Sequence, residues 1–499
     1  MSMKKLLLIL SLPILLLNLS GRAQDTTRVD TTHVQATAHA QGNWDLKRCV
    51  DYALANNISV KQADVQARIA KLTLDQSKLS QIPTLTLGSS AGINSGRFQN
   101  QATYTLETQT TFTNNLSLQT SVTLFNGFYL QRTIDANRFA WQALVASTEK
   151  TKNDISLNVA NAYLQVLLNS QQTEAALGQL HLSQNQLELT RKQVRAGTLP
   201  ELNAAELESQ VAQDSSTYIT AKGNTIQAIL TLKAYMDLEA SVPFDVDTPP
   251  IEQIPIEKLA DLEPEAVYAL ALTNQPLQKM DALQIQSARQ TVRATKGAML
   301  PVVSLFGQLG SNYYNTPGQA AVPYGTFIDT VGHVNGSGTP VTNPVTQYKL
   351  IDTKAPGYFT QINNYFAQAI GLSVSIPILN NGILRTNYAK SRLSLRNQEL
   401  QRDQDNLTLK QNIYQAYTAA ITALQKFEAN KITVAATQKS YDYAQKRYNV
   451  GMLNTIDLLT NQNNFFNAKI NLLSSQFDYV FKMKVLEFYK GLGIKLSKE

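Results

Sequence analysis

The stretch from Arg447 to Leu486 restricts the fold more than any other. It reads Arg447-Tyr448-Asn449-Val450-Gly451-Met452-Leu453-Asn454-Thr455-Ile456-Asp457-Leu458-Leu459 and then runs on without Gly or Pro to Lys490. Gly451 can take a positive φ at no steric cost and so ends one helix, while Thr455 fits the N-cap of the next. Beyond the turn Leu458, Phe465, Leu472, Tyr479 and Leu486 recur every seven residues. A strict interval of seven keeps one seam against a partner helix and calls for left-handed supercoiling. The stretch is a coiled-coil hairpin.

A second copy lies 254 residues earlier. Arg195-Ala196-Gly197-Thr198-Leu199-Pro200-Glu201-Leu202-Asn203 matches the turn, with Thr198 and Glu201 at capping-box spacing and Pro200 in the first turn. The matching seam is Ala204, Val211, Tyr218, Thr225 and Leu232. A chain of 499 residues would ordinarily divide into about three domains. The repeat favours two halves of one elongated body instead.

Residues 1–23 have the order of a secretory signal peptide: Lys4 and Lys5, an apolar run from Leu6 to Leu19, then Gly21-Arg22-Ala23. The run is too short for a membrane span, and no later segment matches it. Removal of Lys4, Lys5 and Arg22 lowers the formal charge from +7 to +4, too mild for a nucleic-acid partner. Cys49 is the single cysteine, which excludes an internal disulfide. Residues 24–43 hold few large apolar side chains and read as a loose tail, His33 and His39 included.

From Trp44 a helical pattern runs to Gln81 and stops at Pro83, and the later half repeats it at an offset of 218, ending at Leu300-Pro301. After each proline the period becomes two. Leu85 and Leu87, then Leu116, Leu118, Val122 and Leu124, alternate with small or hydroxylic residues. So do Val303, Leu305 and Leu309, then Ile370, Leu372, Val374 and Ile376. Segments of this kind have the length and pattern of outer-membrane strands, and the chain supplies about four. Between them, residues 92–111 are turn-rich, and 312–364 reads as an enlarged exposed loop whose Tyr313, Tyr314 and Tyr324 suit lipid headgroups.

Each second strand ends in a turn, Asn126-Gly127 and Asn381-Gly382, an offset of 255 that gives the later loop 37 extra residues. Helical patterns then run to Arg195 and Asn449, roughly 100 Å each if unbroken. The repeats are expected at 44–242 and 262–499, joined by a Pro-rich connector at 243–261. A four-stranded sheet leaves its edges unpaired in hydrocarbon, and single-chain bacterial barrels start at about eight strands. Several copies must therefore pool strands and helices under closed symmetry. The product is a tube.

These features resemble the outer-membrane efflux proteins typified by TolC. The resemblance covers Trp44 to about Leu496 and rests on Leu124-Phe125-Asn126-Gly127, on Pro377 to Arg385, and on Val450-Gly451 with Asp457 and then Asn467-Ala468-Lys469 beyond. It implies an α+β membrane protein: a homotrimer whose transmembrane β-barrel takes four strands per chain and continues as a long α-helical coiled-coil barrel across the periplasm. It also implies outer-membrane lipid, a periplasmic adaptor and an inner-membrane pump or ABC exporter as partners, with no cofactor.

In that family aspartates and polar links close the periplasmic end. Asp457 matches one ring aspartate, Thr460 stands where a second is often found, Tyr448 matches a linking tyrosine and Leu453 replaces an arginine of the link. Asn203 occupies Asp457's place in the first half. Gly197 and Gly451 fit both turn formation and adaptor contact. Asp457 also suits the positive end of a helix, which needs no gate.

Two other classes fit less well. Four His are present, two of them in the tail, and no nucleophile motif, phosphate-binding loop or HExxH appears, so an enzyme lacks a site. A passive coiled-coil envelope protein accounts for the long helices but not for four amphipathic strands at matching offsets. No Met, His or Cys cluster points to metal cargo. Small organic compounds and drugs are the favoured cargo, with polypeptides the alternative.

Overall fold

A computed structural model describes residues 44–99, 106–247, 257–315 and 318–491. The expected signal peptide and tail lie outside them. The first half runs α1 (Leu46–Asn56), α2 (Ile58–Leu79), β1 (Thr84–Gln99), β2 (Leu106–Phe125), α3 (Tyr129–Arg195) and α4 (Glu201–Met236). The second runs α5 (Pro264–Asn274), α6 (Pro276–Gly297), β3 (Val302–Tyr314), β4 (Gly318–His333), β5 (Pro340–Thr353), α7 (Tyr358–Asn364), β6 (Ala367–Ser375), α8 (Ile383–Asn449) and α9 (Thr455–Tyr489). α1, α2 and β1 recur as α5, α6 and β3 at an offset of 218, and α3 and α4 recur as α8 and α9 at 254.

The two copies start their short helices by different means. Asp45 accepts a hydrogen bond from the Arg48 N–H, and Asn57 accepts from those of Ser59 and Val60. At the matching positions stand Glu263 and Gln275, which make no such bond, and Pro264 and Pro276 open the helices instead. A fixed φ substitutes for a cap. The long helices are 67 residues each.

The strand-to-helix turns correct the expected offset. Positive φ falls on Gly127 and Phe128 in the first copy and on Asn381 and Gly382 in the second. The backbone therefore pairs Gly127 with Asn381, at 254 rather than 255, and the later insertion is 36 residues. Asn126-Gly127 and Asn381-Gly382 look alike but sit one step apart.

β1, β2, β3 and β6 form one antiparallel sheet in that order. β1 and β2 run well into the expected turn, pairing Gln99 with Leu106 at their far end. Residues 312–364 are not the featureless loop expected: β3 continues to Tyr314, β4 and β5 pair as a separate hairpin, and α7 follows. The register places Leu87 beside Leu118, Leu118 beside Leu309 and Leu305 beside Leu372. One face is thus apolar, and the other carries Thr86, Gln119, Gln308 and Ser373. On that polar face Phe306 covers Gly371, where an added Cβ would lie 2.9 Å from its ring.

Helices pack in the same order as the strands they adjoin: α2 on α3, α3 on α6, α6 on α8. Ser287 donates to the Ala136 carbonyl at 2.8 Å, and the Thr295 and Ser391 hydroxyls meet at 2.8 Å. Two apolar cores sit midway along the body. In the first, Trp44, Cys49, Val159, Leu167, Leu232 and Met236 are buried; the second gathers Leu262, Val267, Ile413, Met483 and Leu486. Each buried Val, Leu, Ile or Met among them contributes about 1.5–3 kcal/mol. Burial pushes the Cys49 thiol up to about 12, so this cysteine is a packing residue. Among the described residues no helix is long and apolar enough to cross a membrane.

Candidate functional site

The α3–α4 and α8–α9 turns lie at the end of the body remote from the sheet, and both close by the same hydrogen bonds. Gly197 N–H donates to the Val194 carbonyl and Thr198 N–H to that of Gln193, at 2.9 and 3.0 Å. Gly451 N–H donates to the Tyr448 carbonyl and Met452 N–H to that of Arg447, at 2.9 and 2.8 Å. Both glycines have φ of +76°, and nothing lies within 4 Å of where a Cβ would stand. The requirement is conformational, a left-handed residue after the helix. Val450, Met452, Ile456 and Leu202 are exposed around these turns.

The caps differ from the sequence expectation. Asn454, not Thr455, caps α9, accepting from the Asp457 N–H at 2.7 Å, and Thr455 is buried in the first turn. Thr198 donates its hydroxyl to the Gln193 carbonyl at 2.9 Å, so no capping box with Glu201 forms. Pro200, extended at φ −65° and ψ 151°, takes the cap position of α4.

Asp457 and Thr460 are exposed and three residues apart, which puts them on one helix face. The Thr460 hydroxyl is spent on the Ile456 carbonyl at 2.8 Å, leaving Asp457 as the charge on that face of the first turn. Asn203 is half-buried on α4, its N–H donating to the Pro200 carbonyl. Tyr448 and Leu453 pack with Leu182 and Phe465 around buried Tyr441, Ala444 and Leu458. Leu453 therefore serves the apolar tip, the opposite of what an arginine would do there. The Tyr448 hydroxyl is buried and has no hydrogen-bond partner among the described residues.

A polar strip above the tip was not singled out from the sequence. Ser183 donates to Asp214 Oδ2 at 2.5 Å, and Gln462, 1% exposed, donates to Ser183 Oγ at 3.2 Å. Gln210 donates to Asp214 Oδ1 at 2.9 Å and exchanges hydrogen bonds with Asn463 at 3.2 and 3.1 Å. Farther along, Gln172 donates to Ser474 at 3.0 Å and Gln186 to the Tyr441 hydroxyl at 3.4 Å. Each cross-link between the two hairpins in this strip joins neutral amides and hydroxyls, worth about 1 kcal/mol apiece. The hairpins are held together by many weak bonds.

The arrangement offers no catalytic constellation, and no group of three metal-binding side chains occurs among the described residues. Residues 49–237 and 267–481 match the family described as "Outer membrane efflux protein". The chain belongs to that family. It is 20% identical over 437 residues to "Toxin and drug export protein A" of Aggregatibacter actinomycetemcomitans, covering 87% of this chain and 83% of that one. It is 22% identical over 434 residues to "Outer membrane protein TolC" of Salmonella enteritidis, covering 86% and 78%. The solved structure of CusC superposes with a TM-score of 0.72 at 16% identity, covering 90% of this chain and 92% of that one. This outer membrane efflux protein is a passive transport channel protein of the outer membrane reaching into the periplasm, not an enzyme. Channels of its family act with adaptors and inner-membrane pumps.

Proposed function

We propose that three copies close into one export duct, each giving four strands to a twelve-stranded barrel and its long helices to the periplasmic tube that continues it. The carrying observation is that sheet and helix layer share one order with open edges, β1 and β6 above, α2 and α8 below. In a four-stranded antiparallel sheet the two edge strands run in opposite directions, so β6 of one copy continues the alternation beside β1 of the next. Two copies would give eight strands, whose interior side chains fill; twelve leave a lumen. The edge helices support this. On α2 Val60, Ala67 and Leu74 are buried while Ile58, Val65, Leu72 and Leu79 are exposed, and on α8 Leu393, Leu400 and Leu407 are exposed. Apolar stripes at seven-residue spacing on both edges suit a neighbouring copy.

The hairpin tips would then converge at the periplasmic end. Asp457 forms a ring of three carboxylates beside Thr460, with Asn203 on the adjoining hairpin, and Tyr448 takes its missing partner from another chain. Such a ring favours cations. The exposed apolar tips around Gly197 and Gly451 dock an adaptor, and through it an inner-membrane pump or ABC exporter. Residues 1–23 direct export, and small organic molecules are the cargo, with polypeptides the alternative. Reconstitution into planar bilayers tests the duct: discrete conductance steps are expected, and none from pure, folded protein would overturn it.

A further inference from the structure

The short helix α7 packs on the sheet near its far end. Ser311 donates to the Ile362 carbonyl at 2.6 Å, the Tyr358 hydroxyl donates to Asn114 Oδ1 at 2.7 Å, and the Tyr313 and Tyr358 rings are 5.0 Å apart. Ser311 and Tyr313 share the strand parity of Leu305 and Leu309, and Asn114 that of Leu116 and Leu118. α7 therefore lies on the apolar face, which faces lipid in an outer-membrane barrel.

The polar side chain on its underside is satisfied. Gln361, 2% exposed, accepts from the Tyr314 N–H at 3.0 Å and donates to the carbonyls of Tyr314 and Pro356, each at 2.9 Å. The outer side holds no charge, and Phe359 is 84% exposed, with Tyr365 and Phe366 exposed just beyond. Phe112, Tyr313, Tyr358 and Phe359 form a chain of ring contacts there. At the sheet's other end Phe125 packs edge-on against exposed Phe128. The ten residue steps from Val303 to Tyr313 span roughly 34 Å along the strand, or about 26 Å of height at a tilt of ~40°, matching an apolar band of about 25 Å. The two aromatic clusters thus stand at its two rims.

We propose that α7 is an interfacial anchor: it lies on the outside of the barrel with Phe359, Tyr365 and Phe366 in the headgroup layer of the outer leaflet, and holds the base of the β4–β5 hairpin there. The chemistry fits, because aromatic rings prefer the boundary between hydrocarbon and headgroups, where the uncapped first turn of the helix can still meet headgroup and water oxygens. Continuity with the lipid-facing sheet selects lipid over a soluble partner. The inference rests on the barrel reading.

The test attaches a nitroxide label to Phe359→Cys, Leu372→Cys and Ser337→Cys in the full-length protein reconstituted into phospholipid bilayers. The native Cys49 is fully buried and stays unlabelled. Collision rates with oxygen and with a water-soluble nickel chelate report depth. The label at 372 is expected deep in lipid, that at 337 in water, and that at 359 between them, with nickel collisions several-fold below those at 337. A label at 359 as open to nickel as at 337, while 372 stays in lipid, overturns the anchor alone. Nickel access at 372 equal to that at 337 overturns the barrel reading and the anchor with it.

Discussion

Replacing Gly127 by alanine isolates what the strand-to-helix junction demands. Gly127 has φ of +64°, and a Cβ there would lie 2.3 Å from the Gly297 carbonyl oxygen and 2.9 Å from Leu300 Cβ. Two costs combine: about 1–2 kcal/mol for a left-handed alanine, and about 1–3 kcal/mol for moving backbone that cannot rotate away. Two other glycines separate them. Gly382 has φ of +75° with nothing within 4 Å, so Gly382→Ala carries only the first. Gly297 lacks a positive φ, but its Cβ would lie 2.3 Å from the Gly127 carbonyl oxygen, so Gly297→Ala carries only the second. Gly127→Ala should therefore lose stability by about 2–5 kcal/mol, roughly the sum of the other two, though neighbouring terms rarely add fully. The assay is the half-life of helical circular dichroism in detergent at fixed temperature, because unfolding of such a protein is a rate. Each 1.4 kcal/mol that appears in the unfolding barrier shortens it about tenfold. Gly127→Ala no worse than Gly382→Ala, or a neutral Gly297→Ala, would refute the close approach of α6 to the turn.

Three further outcomes are expected. Asp457→Ala should raise single-channel conductance or weaken cation preference; unchanged conductance and selectivity remove Asp457 from the aperture. Gln462→Leu deletes the bond to Ser183 and leaves the Ser183–Asp214 pair in place, so the open fraction of the channel should rise several-fold, about 1 kcal/mol of lost tethering; an unchanged open fraction would show the strip is not a restraint. Asp281, 3% exposed on α6, is pushed up to about 6 by burial and by the neighbouring Asp405, against the pull of Arg402. A raised carboxyl pKa favours the neutral form in the fold, so stability is full below the ordinary value near 4 and falls as pH rises through 6. Asp281→Asn should gain about 2 kcal/mol at pH 8 and flatten that part of the profile; a mutant no more stable at pH 8 than at pH 4 relative to wild type contradicts this.

Much of the architecture was legible because it is written twice. The prolines at 83 and 301 and the glycines at 197 and 451 mark helix ends that the structure places within a few residues, and the alternation in Leu116 to Leu124 and Ile370 to Ile376 marks strands. The β4–β5 hairpin was hidden because Pro323, Gly325, Pro344 and two register shifts break its alternation. Residue type does not decide the cap of α9, because Thr455 and Asn454 are both good caps, and only the backbone tells which residue is extended. At the tip, seven-residue spacing revealed the seam of α9, but the strip of Ser183, Gln210 and Gln462 looks like any solvated helix face. What betrays it is burial, which a sequence does not display.

In the proposed trimer one chain owns a third of the duct wall, with β1 and β6 as its open edges. Light scattering from the detergent-extracted protein, corrected for bound detergent, gives the protein mass of the particle directly. Three times the mass of the mature chain is the expected result; a particle holding one chain or two would contradict it.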